Sequence, residues 1–231
     1  MLIRLDWMAE MVKVEFSLVR LTEILKSLFF PLTAFELLDS LKRSGYSLLV
    51  RPPLPISPTH RAYISGRVAE KENCTIFVDP DRRFIGVEGE SPQNVERIYR
   101  ELVDIVRKRF ELNFDEERNY LELVATGIVR SRHVPINVMA DAFKVKVIEK
   151  VSEILGEDVE IYAVAFTPKG RVPSASEWFD IRIEPHIRLP TREYDLTVVY
   201  RSQNGDKVLK FFKGLESSII DIIKTLEGGE S

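Results

Sequence analysis

Residues 12–20 read VKVEFSLVR and alternate well between apolar and polar side chains, with Val12, Val14, Phe16 and Leu18 on one face and Lys13, Glu15 and Ser17 on the other. A period of two is typical of a half-buried β-strand. A second alternating stretch, YLELVATGIVR at residues 120–130, has its apolar residues in phase at 121, 123, 125 and 129. We interpret these two stretches as leading strands, each of which opens one half of the chain.

The first leading strand is followed by a change to helical spacing. Residues 21–44 predict two helical pieces interrupted at Pro31 and ended by Gly45. Four short strands are then predicted, at 46–51, 61–69, 74–79 and 83–88, with a proline-rich loop at 52–58 and a hairpin turn at 79–82. Ser91 and Pro92 predict the start of a helix that carries an apolar stripe as far as Phe110.

The second half shows the same order of elements. A helix is predicted over 136–155, ended by Gly156, and a Pro/Gly loop over 168–176. The Asn204-Gly205 pair predicts a tight hairpin, and residues 215–226 predict a final helix. The four strands predicted in this half are 159–167, 178–188, 194–201 and 207–212.

The order of elements predicts an α+β fold built by internal duplication. An N-terminal extension (1–11) precedes two β-α-β(4)-α units, 12–112 and 120–228, separated by the polar stretch 113–119. If the two leading strands pair, the units form one curved antiparallel sheet with helices on one face, packed as one pseudo-symmetric domain. This order of elements resembles the fold shared by TATA-box-binding proteins and helix-grip lipid-binding proteins. The resemblance implies a saddle-shaped sheet and carries little weight for function.

The composition excludes several classes of protein. Hydrophobic residues make up 45% of the 231 residues, and the net charge is −3, so the chain is not intrinsically disordered and has no overall basic character suited to nucleic acid. The single cysteine, Cys74, excludes a disulfide-stapled secreted scaffold. No apolar run is long enough to span a membrane, so no membrane partner is expected. Scarce amides and abundant charge are typical of thermophilic proteins, and we expect a cytoplasmic location.

Motifs for catalysis or cofactor binding are absent from the sequence. There is no glycine-rich phosphate loop and no G-x-S-x-G, and the three histidines do not have metal-ligand spacing. We therefore expect no cofactor, no metal and no catalytic residue, and an enzyme is the less favoured class. Cys74 lies in phase with Ile76 and Val78 on a predicted strand, which predicts a buried, unreactive thiol.

Two arginine-rich neighbourhoods provide the candidate binding residues, because guanidinium groups recognise phosphate and carboxylate groups. They are Arg51, His60, Arg61, Tyr63 and Arg67 around the proline-rich loop, and Arg130, Arg132 and His133 at the end of the second leading strand. Ordinary surface ion pairing with the plentiful glutamates is the simpler interpretation of both.

Three functional hypotheses follow. The first is a non-enzymatic binding module whose sheet face or rim contacts a macromolecule, either a protein or a nucleic acid; the net charge does not support nucleic acid. The second is a binder of an apolar or anionic small molecule in a cavity between helices and sheet. The third is an enzyme acting on an anionic small molecule through Arg130, Arg132 and His133. Exposed sheet edges also make a homo-oligomer plausible.

Overall fold

The computed structural model describes residues 12–27, 35–50, 64–131, 133–142 and 146–228. Within these ranges the fold is α+β, with nine strands in one open antiparallel sheet and seven helices. The strands are β1 (Lys13–Leu25), β2 (Ser47–Leu48), β3 (Gly66–Lys71), β4 (Cys74–Asp79), β5 (Phe84–Gly89), β6 (Arg118–Arg130), β7 (Val164–Phe166), β8 (Trp178–Pro185) and β9 (Glu193–Ser202). The helices are α1 (Phe35–Arg43), α2 (Pro92–Phe110), α3 (Phe114–Glu117), α4 (Pro135–Ala142), α5 (Lys146–Leu155), α6 (Gly205–Lys213) and α7 (Leu215–Leu226).

The two leading strands pair with each other at the centre of the sheet. The strand order is β2-β3-β4-β5-β1-β6-β9-β8-β7, and β1 runs antiparallel to β6 from Lys13 opposite Arg130 to Leu25 opposite Arg118. The register shifts twice within this pairing, between Phe16 and Leu18 and between Ile24 and Leu25. Each half of the chain therefore contributes one side of a continuous sheet.

Helices α1, α2, α3, α4, α6 and α7 contact strands of the sheet, and the main core lies on the face that they cover. Val19 and Leu21 of β1 and Leu121 and Leu123 of β6 point to that face and are fully buried. Burial of each such side chain contributes about 1.5–3 kcal/mol, so this layer is the main source of stability. Helix α2 lies across β1, β4 and β5.

Helix α2 begins and packs as its sequence predicts. The Ser91 hydroxyl accepts a hydrogen bond from the backbone N–H of Asn94, and Pro92 occupies the first turn. This cap satisfies one of the free N–H groups at the helix start. The helical stripe is buried against the sheet; its members are Val95, Ile98, Tyr99, Leu102, Ile105 and Val106. The predicted β4–β5 hairpin and the closing helix α7 are also present.

The predicted helix from Leu21 is wrong, because β1 continues to Leu25. Leu21, Glu23 and Leu25 point into the core beneath the helices, and Glu23 is 1% exposed. A charged residue on the apolar face hides the period of two in the sequence. Residues 28–34, where the rest of that prediction falls, lie outside the described residues.

The predicted hairpin at Asn204-Gly205 is also wrong. Asn204 caps helix α6, since its side chain accepts a hydrogen bond from the backbone N–H of Lys207. Val208 and Phe212 are buried one helical turn apart, so the segment 207–212 has a helical rather than a strand period. The second half consequently has three strands after its first helices, not four.

Other elements are shorter than predicted. Helices α4 and α5 cover the described part of the helix predicted over 136–155, and residues 143–145 between them lie outside the described residues. The strand predicted over 159–167 is only the three residues of β7. The strands predicted at 46–51, 61–69 and 178–188 correspond to β2, β3 and β8. Residue 51 and residues 61–63 of these predictions lie outside the described residues, as does the predicted proline-rich loop at 52–58. In the part of the chain that the structure describes, no helix has both the length and the apolarity needed to cross a bilayer.

Candidate functional site

The candidate functional site is the open face of the sheet, opposite the helices. One row of directly paired residues crosses seven strands on this face. From β3 to β8 its members are Arg67, Phe77, Gly86, Thr22, Glu122, Arg201 and Trp178. Two arginines, one glutamate and two aromatic residues therefore lie along a single line, because side chains on one face of paired strands stand side by side.

A three-residue ion cluster lies on the side of this face that belongs to the first half. Arg20 on β1 donates hydrogen bonds of 2.9 and 2.6 Å to one carboxylate oxygen of Glu88 on β5. Arg67 donates a 2.8 Å hydrogen bond to the other oxygen. Glu88 is only 6% exposed, so its charge is removed from water and is balanced by the two guanidinium groups.

An aromatic pair supports this ion cluster. The Arg20 guanidinium lies 5.0 Å from the centre of the Phe77 ring, a distance at which a cation is attracted to the ring face. The Phe77 ring in turn meets Phe84 edge-on at 5.5 Å. Arg20 is thus held by a carboxylate and an aromatic ring at once.

Gly86 makes room for the Phe77 ring. A Cβ at Gly86 would lie 2.5 Å from the ring atom Cζ of Phe77 and 2.5 Å from the carbonyl oxygen of Leu21. No side chain fits at that position unless both neighbours move. The glycine therefore lets the ring lie flat across the strand and fill the open face.

A second ion pair occupies the other half of the face. Arg201 on β9 donates to the carboxylate of Glu122 on β6 and, at 2.8 Å, to the carbonyl oxygen of Pro173. Its guanidinium lies 5.6 Å from the centre of the Tyr120 ring. The two ion pairs have opposite charge order. The central strand β1 contributes the basic residue Arg20 to one pair, and the central strand β6 contributes the acidic residue Glu122 to the other.

Arg130, a predicted binding residue, is held by carboxylates. It contacts Glu15 at 2.6 Å and Glu193 at 2.8 Å. Hydrogen bonds to Glu193 and Glu15 raise the pKa of Arg130, and hydrogen bonds from Lys13 and Arg130 lower the pKa of Glu15. Arg130 and Arg67 are therefore both engaged in ion pairs within this chain.

The two predicted neighbourhoods do not converge within the described residues. Arg67 is level with Thr22 on β1, whereas Arg130 is level with Lys13, about 30 Å further along that strand at 3.3 Å per residue. His133 is exposed and lies beside Ser131, whose hydroxyl donates to Glu227. The remaining candidates lie outside the described residues; they are Arg51, His60, Arg61, Tyr63 and Arg132.

A buried polar cluster on the helix side of the sheet was not predicted. Arg118 donates to both carboxylate oxygens of Glu23, and the Tyr99 hydroxyl donates to the same carboxylate. Burial lowers the pKa of Arg118, but the hydrogen bonds and charge of Glu23 outweigh it and raise that pKa above its ordinary value. Burial and the nearby Glu23 raise the pKa of Tyr99. The only sequence signal was a lone glutamate among leucines.

The described cavities open at the surface. One of about 490 Å³ lies at the rim of the open face, between Arg67, Thr75, Glu88 and the start of α2 at Ser91. Another of about 390 Å³ lies beside His133 and Glu227. In the described part of the chain, no group of three or more histidine, cysteine, aspartate or glutamate side chains is placed to hold a metal ion.

Comparison with known proteins gives no match for this sequence: no protein-family model matches it, and no curated protein matches it significantly.

Proposed function

We propose that the chain is a non-enzymatic binding module that docks a protein partner on the open face of its sheet. The observation that carries this proposal is the face that holds the row from Arg67 to Trp178, where the aromatic residues Phe77 and Trp178 lie beside the cross-strand ion pairs Arg20–Glu88 and Glu122–Arg201. Protein interfaces are enriched in aromatic and arginine side chains, and their binding energy is concentrated in a few of these.

The ion pairs favour a protein over a nucleic acid as the partner. Arg20, Arg67, Arg130 and Arg201 each donate to a carboxylate of the same face. Phosphate binding would require those bonds to be exchanged, and affinity for nucleic acid rises with the number of phosphates that free cations neutralise. A protein surface can instead accept preformed guanidinium–carboxylate pairs without breaking them.

The other two hypotheses have weaker support. A small-molecule binder would use the rim cavity beside Arg67, but the Glu88 carboxylate that lines it is already neutralised by two arginines. An enzyme would use Arg130 and His133, but two carboxylates hold Arg130.

We also infer that the two halves arose by duplication and share one saddle, as in the TATA-binding-protein-like topology. The support is the matched strand order on either side of the β1–β6 pair: β5 and β9 flank it, and β4 and β8 follow outward. In this interpretation the two units are residues 12–112 and 120–228, and the oppositely directed ion pairs Arg20–Glu88 and Glu122–Arg201 occupy equivalent places.

Site-specific photo-crosslinking tests the proposed binding face. A photoreactive amino acid at Thr126 or Thr197, both on the open face, is expected to capture a protein partner in cell extract. The same amino acid at Lys224, exposed on the helix side, is the control position. The charge reversals Arg20→Glu and Arg201→Glu should abolish capture from Thr126, whereas Lys224→Glu should not.

Two results would contradict this proposal. One is capture from Lys224 but not from Thr126 or Thr197. The other is salt-sensitive binding of a labelled single-stranded RNA or DNA that Arg20→Glu and Arg201→Glu abolish, which would identify nucleic acid as the partner class.

A further inference from the structure

We infer that the partner of the open face docks through a protein segment that is rich in lysine or arginine and in apolar residues. This inference rests on the proposed function and adds the chemistry of the partner. The segment packs on three partly exposed apolar residues of the face, which we call the apolar strip: Leu18, Val124 and Val199. Its basic side chains meet three carboxylates of the same face, which we call the acidic border: Asp180, Glu184 and Asp195.

The register of the strands places the apolar strip beside the acidic border. Val124 on β6 is directly paired with Arg20 on β1 and with Val199 on β9, and Val199 is in turn paired with Asp180 on β8. Neighbouring strands lie about 4.8 Å apart. Leu18 precedes Arg20 by two residues and therefore points to the same face. A segment that lies across these strands thus meets apolar side chains first and a carboxylate next.

The apolar strip lies on the side of the sheet away from the hydrophobic core. Val19 and Leu123, which adjoin Leu18 and Val124 along their strands, point to the core and are fully buried. Leu18, Val124 and Val199 remain partly exposed on the opposite face. The centre of a protein interface is more apolar than its polar rim. The apolar strip is therefore suited to apolar side chains of the partner.

The acidic border has more negative than positive charge. Among the eight described residues of β8, Arg182 is the only basic one, and it can balance only one of the three carboxylates. Arg201 on β9 is already bound to Glu122. Glu184 is directly paired with Asp195, and like charges directly opposite each other destabilise a sheet. A cationic side chain of the partner would relieve this repulsion.

Asp180 is the contact point that the structure defines best. Its Oδ1 atom is buried, and no described residue donates a hydrogen bond to it. The residue as a whole remains partly exposed, so the carboxylate can be reached from the open face. Buried polar atoms without a partner are uncommon in folded proteins. A lysine or arginine that docks beside Asp180 supplies the opposite charge, and a hydrogen bond between two charged groups is stronger than one between neutral groups.

Other groups near the acidic border leave its charge in place. The Nδ1 atom of His186 lies 2.7 Å from Oδ1 of Asp195, and a neutral imidazole can donate this hydrogen bond without changing the charge of the carboxylate. Arg188 and Arg192 lie on the turn that joins β8 to β9, past the ends of both strands. Asp180 is near the other end of β8. The carboxylate next to the apolar strip is therefore the one furthest from these arginines.

Fluorescence anisotropy with labelled synthetic peptides tests the inference on the full chain. The probe is a peptide of lysine and leucine that forms an amphipathic helix. One matched peptide has glutamate in place of lysine, and another has serine in place of leucine. The lysine–leucine peptide should bind, and more weakly as the salt concentration rises. The serine peptide should bind at least about tenfold more weakly, and the glutamate peptide should not bind.

Substitutions locate the bound peptide on the chain. Asp180→Lys should raise the dissociation constant of the lysine–leucine peptide by about tenfold or more, because it places like charges together. Asp221→Lys is the matched control, since Asp221 is exposed on helix α7 on the other side of the sheet, and it should have little effect. Asp180→Asn removes the charge with little change of shape and should weaken binding in the same direction, so the test stands even if Asp180→Lys does not fold.

Three results would overturn the inference. The first is binding of the glutamate peptide as tight as that of the lysine–leucine peptide. The second is an equal effect of Asp180→Asn and Asp221→Lys when circular dichroism shows both variants folded. The third is no binding of the lysine–leucine peptide. Photo-crosslinking from Thr126 reports on the open face whatever the charge of the partner. Retained capture from Thr126 with any of these results would therefore refute this inference and leave the proposed function standing.

Discussion

Arg118 donates one 2.7 Å hydrogen bond to each carboxylate oxygen of Glu23, at a point where both side chains are almost completely removed from water. Glu23 lies near the end of β1 and Arg118 at the start of β6, so the ion pair joins the two central strands. Tyr99 on α2 donates to the same carboxylate and connects the long helix to this junction. Charge and hydrogen bonding are both satisfied inside an apolar layer, as a buried ion pair requires.

Removal of one partner of this pair is expected to be strongly destabilising. Arg118→Met leaves the Glu23 carboxylate buried and uncompensated, and should lower the free energy of unfolding by about 3–5 kcal/mol. The double variant Glu23→Leu/Arg118→Met should be more stable than Arg118→Met alone. Urea denaturation measures the free energy of unfolding of both variants. Lys150→Met, which removes an exposed ion pair, is the control and should change that free energy by less than about 1 kcal/mol. Equal effects of Arg118→Met and Lys150→Met would contradict the role assigned to the buried pair.

Gly205 should not tolerate alanine. A Cβ at this position would overlap the guanidinium of Arg118, which is fixed by Glu23 and Asp115. Replacement of glycine by alanine in an unstrained helix commonly stabilises a protein by about 0.4–1 kcal/mol, but Gly205→Ala should destabilise this one. Gly214→Ala is the matched control, because the nearest atoms to its Cβ would be at 3.8 Å. A melting temperature of Gly205→Ala equal to or higher than that of Gly214→Ala would contradict the close packing of Arg118 against Gly205.

The two arginines that hold Glu88 are expected to contribute unequally to stability. The Arg20 side chain is 36% exposed, makes two hydrogen bonds to Glu88 and lies over Phe77, whereas the Arg67 side chain is 70% exposed and makes one. Arg20→Ala should cost about 1.5–3 kcal/mol, and Arg67→Ala less than about 1 kcal/mol. Guanidinium denaturation of the two variants compares them directly. The reverse order would mean that Arg67, and not Arg20, balances the buried carboxylate.

Cys74 should react slowly with thiol reagents in the folded protein. Burial raises the pKa of its thiol, so little thiolate is present near neutral pH, and the side chain is 1% exposed. We expect modification by a disulfide reagent to proceed only as fast as the chain opens, and to become rapid in denaturant. Fast modification under native conditions would contradict the burial of this residue.

Glu177 should make stability fall in acid. Burial raises the pKa of this carboxyl, but hydrogen bonds from Ser202, the Gln203 backbone and Lys207 outweigh it and lower the pKa below its ordinary 4.5. A carboxyl whose pKa is lower in the folded state than in the unfolded state stabilises the protein at pH values above the unfolded-state pKa. This stabilisation is lost as the pH falls through the folded-state pKa. Unfolding free energies of wild type and Glu177→Gln should therefore differ most near neutral pH and converge well below pH 4.5.

Glu70→Gln serves as the control for this pH dependence, because Glu70 is exposed on β3. As a substitution at an exposed position, it should change the free energy of unfolding by no more than about 0.5 kcal/mol at neutral pH. A constant gap between wild type and Glu177→Gln down to the lowest pH would exclude Glu177 as a source of the acid sensitivity.

Local sequence pattern by itself determined the elements that need no distant partner. The alternation at 12–20 and 120–130, the capped helix from Ser91 and the hairpin at 79–82 each carry a period or turn signal within a few residues. Because the two alternating strands open the two halves, the pattern also led to the prediction of one shared sheet, and their pairing is present.

Tertiary structure alone decided where those signals end and which side chains meet. Glu23 lies in a strand because Arg118, which is 95 residues away, neutralises it, and no local pattern encodes that contact. Asn204-Gly205 suits either a hairpin or a helix cap, and burial of Val208 and Phe212 selects the cap. The open face likewise depends on the register of the strands. Arg67 and Arg201 stand in one row only because the neighbouring strands β3, β4, β5, β1, β6 and β9 align them. A sequence specifies the period of each element, whereas the partner of each charge is set by how the elements pack.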